Sequence, residues 1–206
     1  TMVVIPIIAA AGFTIPKTSS RAISSASGTA DTFEVLASVT HSASKIKKIV
    51  EKTNACIIWG GALDLASADD KLIKIEHPLY LDPKGILLSS ILAKKKAVNS
   101  THVLIDIPYG KEAKISKLKN AKDLQKKFIQ LGKKLNMKIK VILTKGEEPI
   151  GDGIGPILEA RDVMSVLTGK GPEDLKKKSI YLANELLKMV NYPCKAKEIL
   201  DSGKAY

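Results

Sequence analysis

Apolar positions along the chain fall into two alternating rhythms. Short runs rich in β-branched residues, such as Ala55-Cys56-Ile57-Ile58-Trp59 and Val103-Leu104-Ile105-Asp106-Ile107, alternate with longer stretches in which apolar residues recur every three or four positions. The first rhythm predicts strands over 14–17, 55–59, 102–107 and 138–143. The second predicts helices over 2–11, 30–39, 44–52, 86–97, 121–135, 157–167, 175–190 and 196–200. Strand and helix in repeated alternation predict an α/β fold with a mostly parallel sheet and helices on both faces. The strand runs are continuously apolar, as strands covered on both faces require. Residue chemistry marks several boundaries. Asp31 with Glu34 three residues on fits a capping box, Ser42 fits an N-cap, and Pro83 fits the first turn of the helix carrying Ser90 and Lys94. Gly171-Pro172 punctuates the link between the last long helices.

A chain of 206 residues supports one good core and is too short for two full-sized α/β domains. Its hydrophobic share of 45% is ordinary for a globular protein, but only 4% is aromatic, so the core is built from Ile, Leu, Val and Ala. The net charge of +12 points to an anionic partner: a phosphate, a nucleotide, a nucleic acid or an acidic surface. Most of the lysines, such as Lys45-Ile46-Lys47-Lys48, Lys94-Lys95-Lys96, Lys126-Lys127 and Lys176-Lys177-Lys178, fall at helical spacing beside apolar residues and read as solvated helix faces. Cys56 reads as core filler and Cys194 as part of a polar turn. No metal-ligand spacing or disulfide framework is present, which suits the cytoplasm. The first dozen residues are apolar, without a basic flank, and too few to span a bilayer; they read as a helix interior to a longer polypeptide.

Four constellations could carry chemistry. Between the first strand and the second helix, the run 17–29 holds five serines, two threonines, Arg21 and Gly28. Hydroxyls and unpaired amides before a helix bind oxyanions, and such loops sit at the carboxyl ends of strands, where ligands collect. The same composition also fits a serine-rich loop that only caps the helix. Asp82 before Pro83 reads either as a helix cap or as a carboxylic acid poised over a leaving group, which requires an apolar site to raise its pKa. Ser90 and Lys94, four apart, share one helical face. The run Gly151-Asp152-Gly153-Ile154-Gly155-Pro156 does not match a dinucleotide or P-loop pattern and reads better as a tight turn. His41, His77 and His102 are scattered and suggest no triad.

Taken in order, these motifs closely resemble the archaeal-type AMP phosphorylases, a branch of the thymidine and pyrimidine-nucleoside phosphorylase family. The resemblance is carried by the run from Ile15 to Asp31 with Glu34, by Trp59-Gly60-Gly61-Ala62-Leu63, Ala68-Asp69-Asp70 and Leu81-Asp82-Pro83, and by Ser90-Ile91-Leu92-Ala93-Lys94-Lys95. It continues through 101–108, Gly153 to Pro156 with Glu159-Ala160-Arg161, and Ser202-Gly203-Lys204-Ala205. Where pyrimidine enzymes carry a glycine-rich Gly-Arg-Gly-Leu-Gly-His-Thr-type run, this chain has Ser20-Arg21-Ala22-Ile23-Ser24-Ser25, a departure that points to a nucleoside monophosphate.

The resemblance implies a phosphorylase/phosphoribosyltransferase-like catalytic domain over 1–206, with part of a small helical lobe at roughly 66–98. It implies phosphorolysis of AMP, with CMP and UMP as further substrates, and no cofactor or obligatory metal. By the same resemblance Asp82 donates a proton to the leaving base. Ser20, Arg21, Ala22, Ile23, Ser24, Ser25 and Thr29 contact the nucleotide, with Arg21 on a phosphate oxygen. Ser90 and Lys94 bind the base, and Lys114 adds a further contact. The family's glycine-rich phosphate loop is expected upstream of Thr1, so these 206 residues alone are expected to show little turnover, and the full-length protein is expected to be a homo-oligomer. The alternatives are a pyrimidine-nucleoside (thymidine) phosphorylase and a basic nucleic-acid-binding module. The latter calls for base-stacking aromatics that this composition lacks. Neither a nucleic-acid nor a membrane partner is expected.

Overall fold

The computed structural model describes residues 1–22, 25–62, 84–193 and 195–206. In chain order the elements are α1 (Val4–Ala10), β1 (Ile15–Ser19), α2 (Thr29–Glu34), α3 (Ala43–Thr53), β2 (Ala55–Trp59) and a 3-10 turn (Gly60–Ala62). They continue with α4 (Lys84–Ala97), β3 (His102–Tyr109), α5 (Leu118–Lys134), β4 (Lys138–Lys145), α6 (Pro156–Leu167), α7 (Glu173–Met189) and α8 (Ala196–Asp201). All four predicted strands and all eight predicted helices are present. The largest departure is α2, which stops at Glu34 rather than running to 39. It starts at Thr29 with Gly28 as its N-cap, so Asp31 occupies the third helical position and is not the cap; Ser42 caps α3 as expected, accepting from the Lys45 amide at 3.4 Å.

The strand pairings are parallel. β1 pairs β2 from Ile15 opposite Ala55 to Ser19 opposite Trp59, and β3 pairs β4 from His102 opposite Lys138 to Tyr109 opposite Lys145. Among the described residues these are two separate two-stranded sheets, where the sequence rhythm predicts one. Helices lie on both faces of the second pair. Val103, Ile105 and Ile107 of β3 pack into a core with Leu92 of α4 and Leu124 and Phe128 of α5. The opposite face is held by α7, whose Lys178 pairs Asp106 at 2.9 Å and whose buried Glu185 pairs Lys140 of β4 at 2.5 Å. A second core gathers α1, α6, α7 and α8 around Val3, Ile7, Val166, Ala183 and Leu187.

Asparagine ends four of the long elements. Asn54, Asn99, Asn136 and Asn191 follow α3, α4, α5 and α7, each with φ between 51° and 59°. Asparagine tolerates this left-handed conformation better than other residues with a Cβ, so it can take the place glycine usually holds past a helix. Asn54 shows the consequence: its amide closes on the Val50 carbonyl at 2.8 Å, and the Ile15 amide then takes the Asn54 carbonyl at 2.7 Å, starting the β1–β2 ladder.

The α5–β3–β4 core centres on Phe128, which is 1% exposed. Replacing Phe128 with Ala should cost about 3–5 kcal/mol of stability, the usual penalty for emptying a buried aromatic position. Urea denaturation followed by circular dichroism will read this as a lower midpoint with an unchanged slope.

Candidate functional site

The serine-rich loop leaves β1 at Ser20 and returns to α2 at Gly28. Its shape is set by Asp31. One carboxylate oxygen accepts from the amides of Ala22 (2.7 Å) and Gly28 (3.0 Å), and the other accepts from the Arg21 guanidinium (3.0 Å). Partial burial acts to raise the Asp31 pKa, but those two amides and Arg21 outweigh it and hold the carboxyl below the usual range. The Gly28 amide and the Asp31 carboxylate form the return half of a capping box; glycine has no side chain to supply the other half. Gly28 is also required sterically: a Cβ there would lie 2.6 Å from the Ala22 nitrogen and the Arg21 carbonyl carbon.

Arg21 is firmly engaged. It makes a two-pronged pair with Glu34 (2.6 and 2.9 Å) in addition to its bond to Asp31, and it stacks over the Trp59 ring at 4.9 Å. Glu34 first and Asp31 second raise its pKa further. In this arrangement Arg21 fastens the loop to α2 and to the end of β2. The Trp59-Gly60-Gly61 motif acquires a local reason, because a Cβ on Gly61 would lie 2.9 Å from the indole.

Ser20, Ser90 and Lys94 come together although 74 residues separate Ser20 from Lys94. The Lys94 ammonium donates to the Ser20 hydroxyl at 3.0 Å and to the Ser90 hydroxyl at 2.9 Å. This joins the loop after β1 to the face of α4 on which the i, i+4 spacing puts Ser90 and Lys94. Lys17 and Lys95 line one cleft and are half-buried, and for Lys95 this departs from the solvated helix face the spacing predicts. Burial first, then the charges of Lys95 and Lys94, push Lys17 down to about 7. Burial first, then Lys94, pushes Lys95 down to about 8. A cluster of half-buried ammoniums beside two hydroxyls is an electrostatic environment suited to an anion.

The rest of the predicted site distributes as follows. Ser25 is exposed and donates to the Ser27 carbonyl at 2.9 Å, and Thr29 opens α2. Lys114 is exposed in the turn after β3. Asp82, Ile23 and Ser24 lie outside the described residues. The glycine run is a tight turn. The Asp152 and Gly153 amides donate to buried Asp162 at 2.8 and 2.7 Å, and the Gly151 amide donates to Asp174 at 3.0 Å, so carboxylates of the protein occupy the amides a phosphate would need.

Sequence reasoning missed one brace. Ser27 and buried Thr32 share a 2.6 Å hydrogen bond, Thr32 donates to Glu159 at 3.1 Å, and Glu159 accepts from the Gly155 amide at 3.1 Å. This ties the serine loop to the start of α6. Only Glu159's place in a motif hinted at it, because a contact spanning 127 residues leaves no local periodicity.

Residues 1–78, which carry β1, the serine loop, α2 and β2, match the family profile described as the a/b domain of a glycosyl transferase family. Over those residues the chain is similar to the α/β domain of glycosyl transferases. Its relatives include AMP phosphorylases. The AMP phosphorylase of Thermococcus sibiricus is 53% identical over 212 residues, covering 100% of this chain and 42% of that protein. The AMP phosphorylase of Pyrococcus horikoshii is 54% identical with the same coverage. A putative thymidine phosphorylase of Bradyrhizobium sp. is 51% identical, covering 99% of this chain and 42% of that protein. The chain is thus similar to AMP phosphorylases from its first residue to its last, and it spans 42% of their length. The anthranilate phosphoribosyltransferase of Thermus thermophilus superposes with a TM-score of 0.73 at 16% identity, covering 100% of this chain and 69% of that one, so the fold is shared.

Two outcomes follow from this geometry. Gly28→Ala should force the loop off α2 and cost about 1–3 kcal/mol, as overpacking against fixed backbone does; thermal melts will show it as a lower Tm. The depressed lysine gives a pH signature. Between the folded value of about 7 and the unfolded 10.5, the unfolded chain holds a proton on Lys17 that the folded chain does not. Lys17 therefore makes stability rise with pH across that window. Denaturation midpoints measured from pH 7 to pH 10 should rise, and Lys17→Met should flatten the rise and stabilise the protein at the low end.

Proposed function

We propose that the full-length protein carries out phosphorolysis of nucleoside 5′-monophosphates: AMP and inorganic phosphate give adenine and ribose 1,5-bisphosphate, with CMP and UMP as further substrates. The observation that carries this reading is the link from Lys94 to Ser20 and Ser90, which brings the serine loop and the α4 pair to one place at the carboxyl end of β1. Similarity to AMP phosphorylases along the whole of this chain supports the same assignment.

The chemistry divides among the residues as follows. Ser20, Arg21, Ala22, Ile23, Ser24, Ser25 and Thr29 border the nucleotide's phosphate and ribose. Arg21, held by Asp31 and Glu34, is the residue assigned to a phosphate oxygen. Ser90 and Lys94 orient the base, and Lys114 contributes from the turn after β3. A phosphate oxygen attacks the anomeric carbon while the bond from that carbon to the base nitrogen breaks. The bonding pair leaves with the base, and a proton from Asp82 neutralises it. Departure runs through an oxocarbenium-like state, so a proton donor at the base and anionic oxygen at the sugar both lower the barrier. Positioning and electrostatics account for the remainder. In this reading 1–206 is the central catalytic domain, with residues near 66–98 in a small helical lobe, in a cytoplasmic homo-oligomer. Among the described residues no helix is long and apolar enough to cross a membrane.

A second reading, pyrimidine-nucleoside phosphorolysis, is favoured by the relative described as a putative thymidine phosphorylase. Assaying the full-length protein with phosphate and AMP, thymidine or uridine separates the two, since release of thymine in preference to adenine would replace the first reading with the second. On the first reading Lys94→Ala should lower kcat/KM for AMP by roughly 10²–10³-fold, the scale for removing one preorganised donor. Asp82→Asn should lower kcat by about 10²–10⁴-fold, the contribution of a positioned acid.

A further inference from the structure

The glycine turn before α6 takes no part in the chemistry assigned above, yet carboxylates hold it at four amides. Gly151 donates to Asp174 at 3.0 Å, Asp152 and Gly153 donate to Asp162 at 2.8 and 2.7 Å, and Gly155 donates to Glu159 at 3.1 Å. Two of its glycines are needed for this shape. A Cβ on Gly153 would lie 2.5 Å from that of Leu158, and Gly155 has φ 98°, which residues with a side chain rarely adopt. With these donors satisfied inside the protein, the turn is a fixed point from which another segment can be held.

Glu159 reaches from that point to the serine loop. One carboxylate oxygen takes the Gly155 amide, and the other accepts from the Thr32 hydroxyl at 3.1 Å. A hydroxyl has a single proton to give. Thr32 has a second acceptor within reach, the Gly28 carbonyl at 3.2 Å, but a carboxylate is the stronger acceptor and takes the proton. The Thr32 oxygen is then left to accept from Ser27, 2.6 Å away. The hydroxyls therefore run in one direction, from Ser27 through Thr32 to Glu159. Thr32 is 2% exposed, so water does not compete for the middle of this relay. Ser25 adds the last link by donating to the Ser27 carbonyl at 2.9 Å.

The loop is thereby tied at both ends to elements outside it. At its start Lys94 joins Ser20 to α4, and at its close Glu159 joins Ser27, through Thr32, to α6. Asp31 differs from Glu159, since its partners Arg21, Ala22 and Gly28 all belong to the loop and give no purchase on α6. We propose that Glu159 is a positioning residue for nucleotide binding, which acts through Thr32 and Ser27 to hold the closing half of the serine loop, with Ser25, at a fixed place against α6. The role rests on the reading of that loop as the nucleotide's. Glu159 itself touches no substrate. The glycine turn anchors it, and this gives the turn a part in binding without a ligand of its own.

Kinetics of the full-length protein test this. Glu159→Ala and Thr32→Val each cut the tie, the second while filling nearly the same volume, so one reports even where the other folds poorly. Each should raise KM for AMP by roughly 10-fold, while kcat and the KM for inorganic phosphate stay within about threefold. Combining them should cost no more than Glu159→Ala alone, because both remove one link. Glu159→Gln should stay close to the wild type. Its oxygen keeps the Gly155 amide and its amide group donates to Thr32, so the tie persists with the hydroxyls reversed. An unchanged KM for AMP in both cut variants would overturn the proposal. A Glu159→Gln protein as impaired as Glu159→Ala would overturn it as well, since the charge would then act on the reaction directly. A wild type that leaves AMP intact would instead remove the substrate reading. The relay is then decided by the denaturation midpoints of Glu159→Ala, Ser27→Ala and the double variant, where less-than-additive losses support it and additive losses exclude it.

Discussion

Asp31 receives hydrogen bonds from three separate points of the serine loop, the Ala22 amide, the Gly28 amide and the Arg21 guanidinium, and this convergence fixes where the loop's hydroxyls stand. Without the carboxylate, Arg21 and Glu34 would remain a half-exposed pair, and pairs of that kind contribute little by themselves. With it, the guanidinium is held from two sides and braced on Trp59. Ser20 adjoins Arg21 and accepts from Lys94, which is the bridge to α4. The candidate site depends on a carboxylate whose oxygens are taken up within the loop itself.

The lysines give the site its electrostatic character. Most of the chain's excess positive charge lies on helix faces, where residues such as Lys45, Lys47, Lys48 and Lys127 are exposed and water screens them. Lys17, Lys94 and Lys95 differ because β1 and α4 carry them into a half-buried cleft beside one another. Burial first, then the charges of Lys95 and Lys94, disfavours the Lys17 proton, and burial, then Lys94, disfavours that of Lys95, an environment suited to an anion. A net charge of +12 points to an anionic partner only loosely, and these three positions are the place proposed for it.

Much of this is legible in the sequence because it is local. The periodicities locate the strands and α-helices of the described residues, and the resemblance names Ser20, Ser90 and Lys94, which hydrogen bonds join. The i, i+4 spacing of Ser90 and Lys94 gives their shared helical face, since helix geometry alone determines it. What the sequence does not show is where short-range cues compete or where contacts are long-range. Asp31 and Glu34 satisfy the spacing of a capping box, yet Gly28 takes the cap because the backbone of 20–22 passes too close for any side chain there. The pairing of Arg21 with Asp31 and Glu34 is hidden because the partners stand 10 and 13 residues away, on the helix beyond the loop, where spacing alone does not reveal it. The four asparagines past the long helices are a readable signal of a different kind, since asparagine is enriched in left-handed positions, but hydrophobic periodicity does not register them.

The division into two strand pairs is not legible at all, because hydrophobic rhythm says that a strand is buried and not which strand lies beside it. Prolines sharpen the point. Pro16 and Pro108 sit on β1 and β3 at even positions, turned from their assigned partners, so neither removes a donor from an existing ladder. A proline on a strand ordinarily reads as a mark of an outer edge. Here each leaves its carbonyl on the edge that its own ladder does not use, so the parallel pairing of β1 with β2 and of β3 with β4 is complete in spite of them.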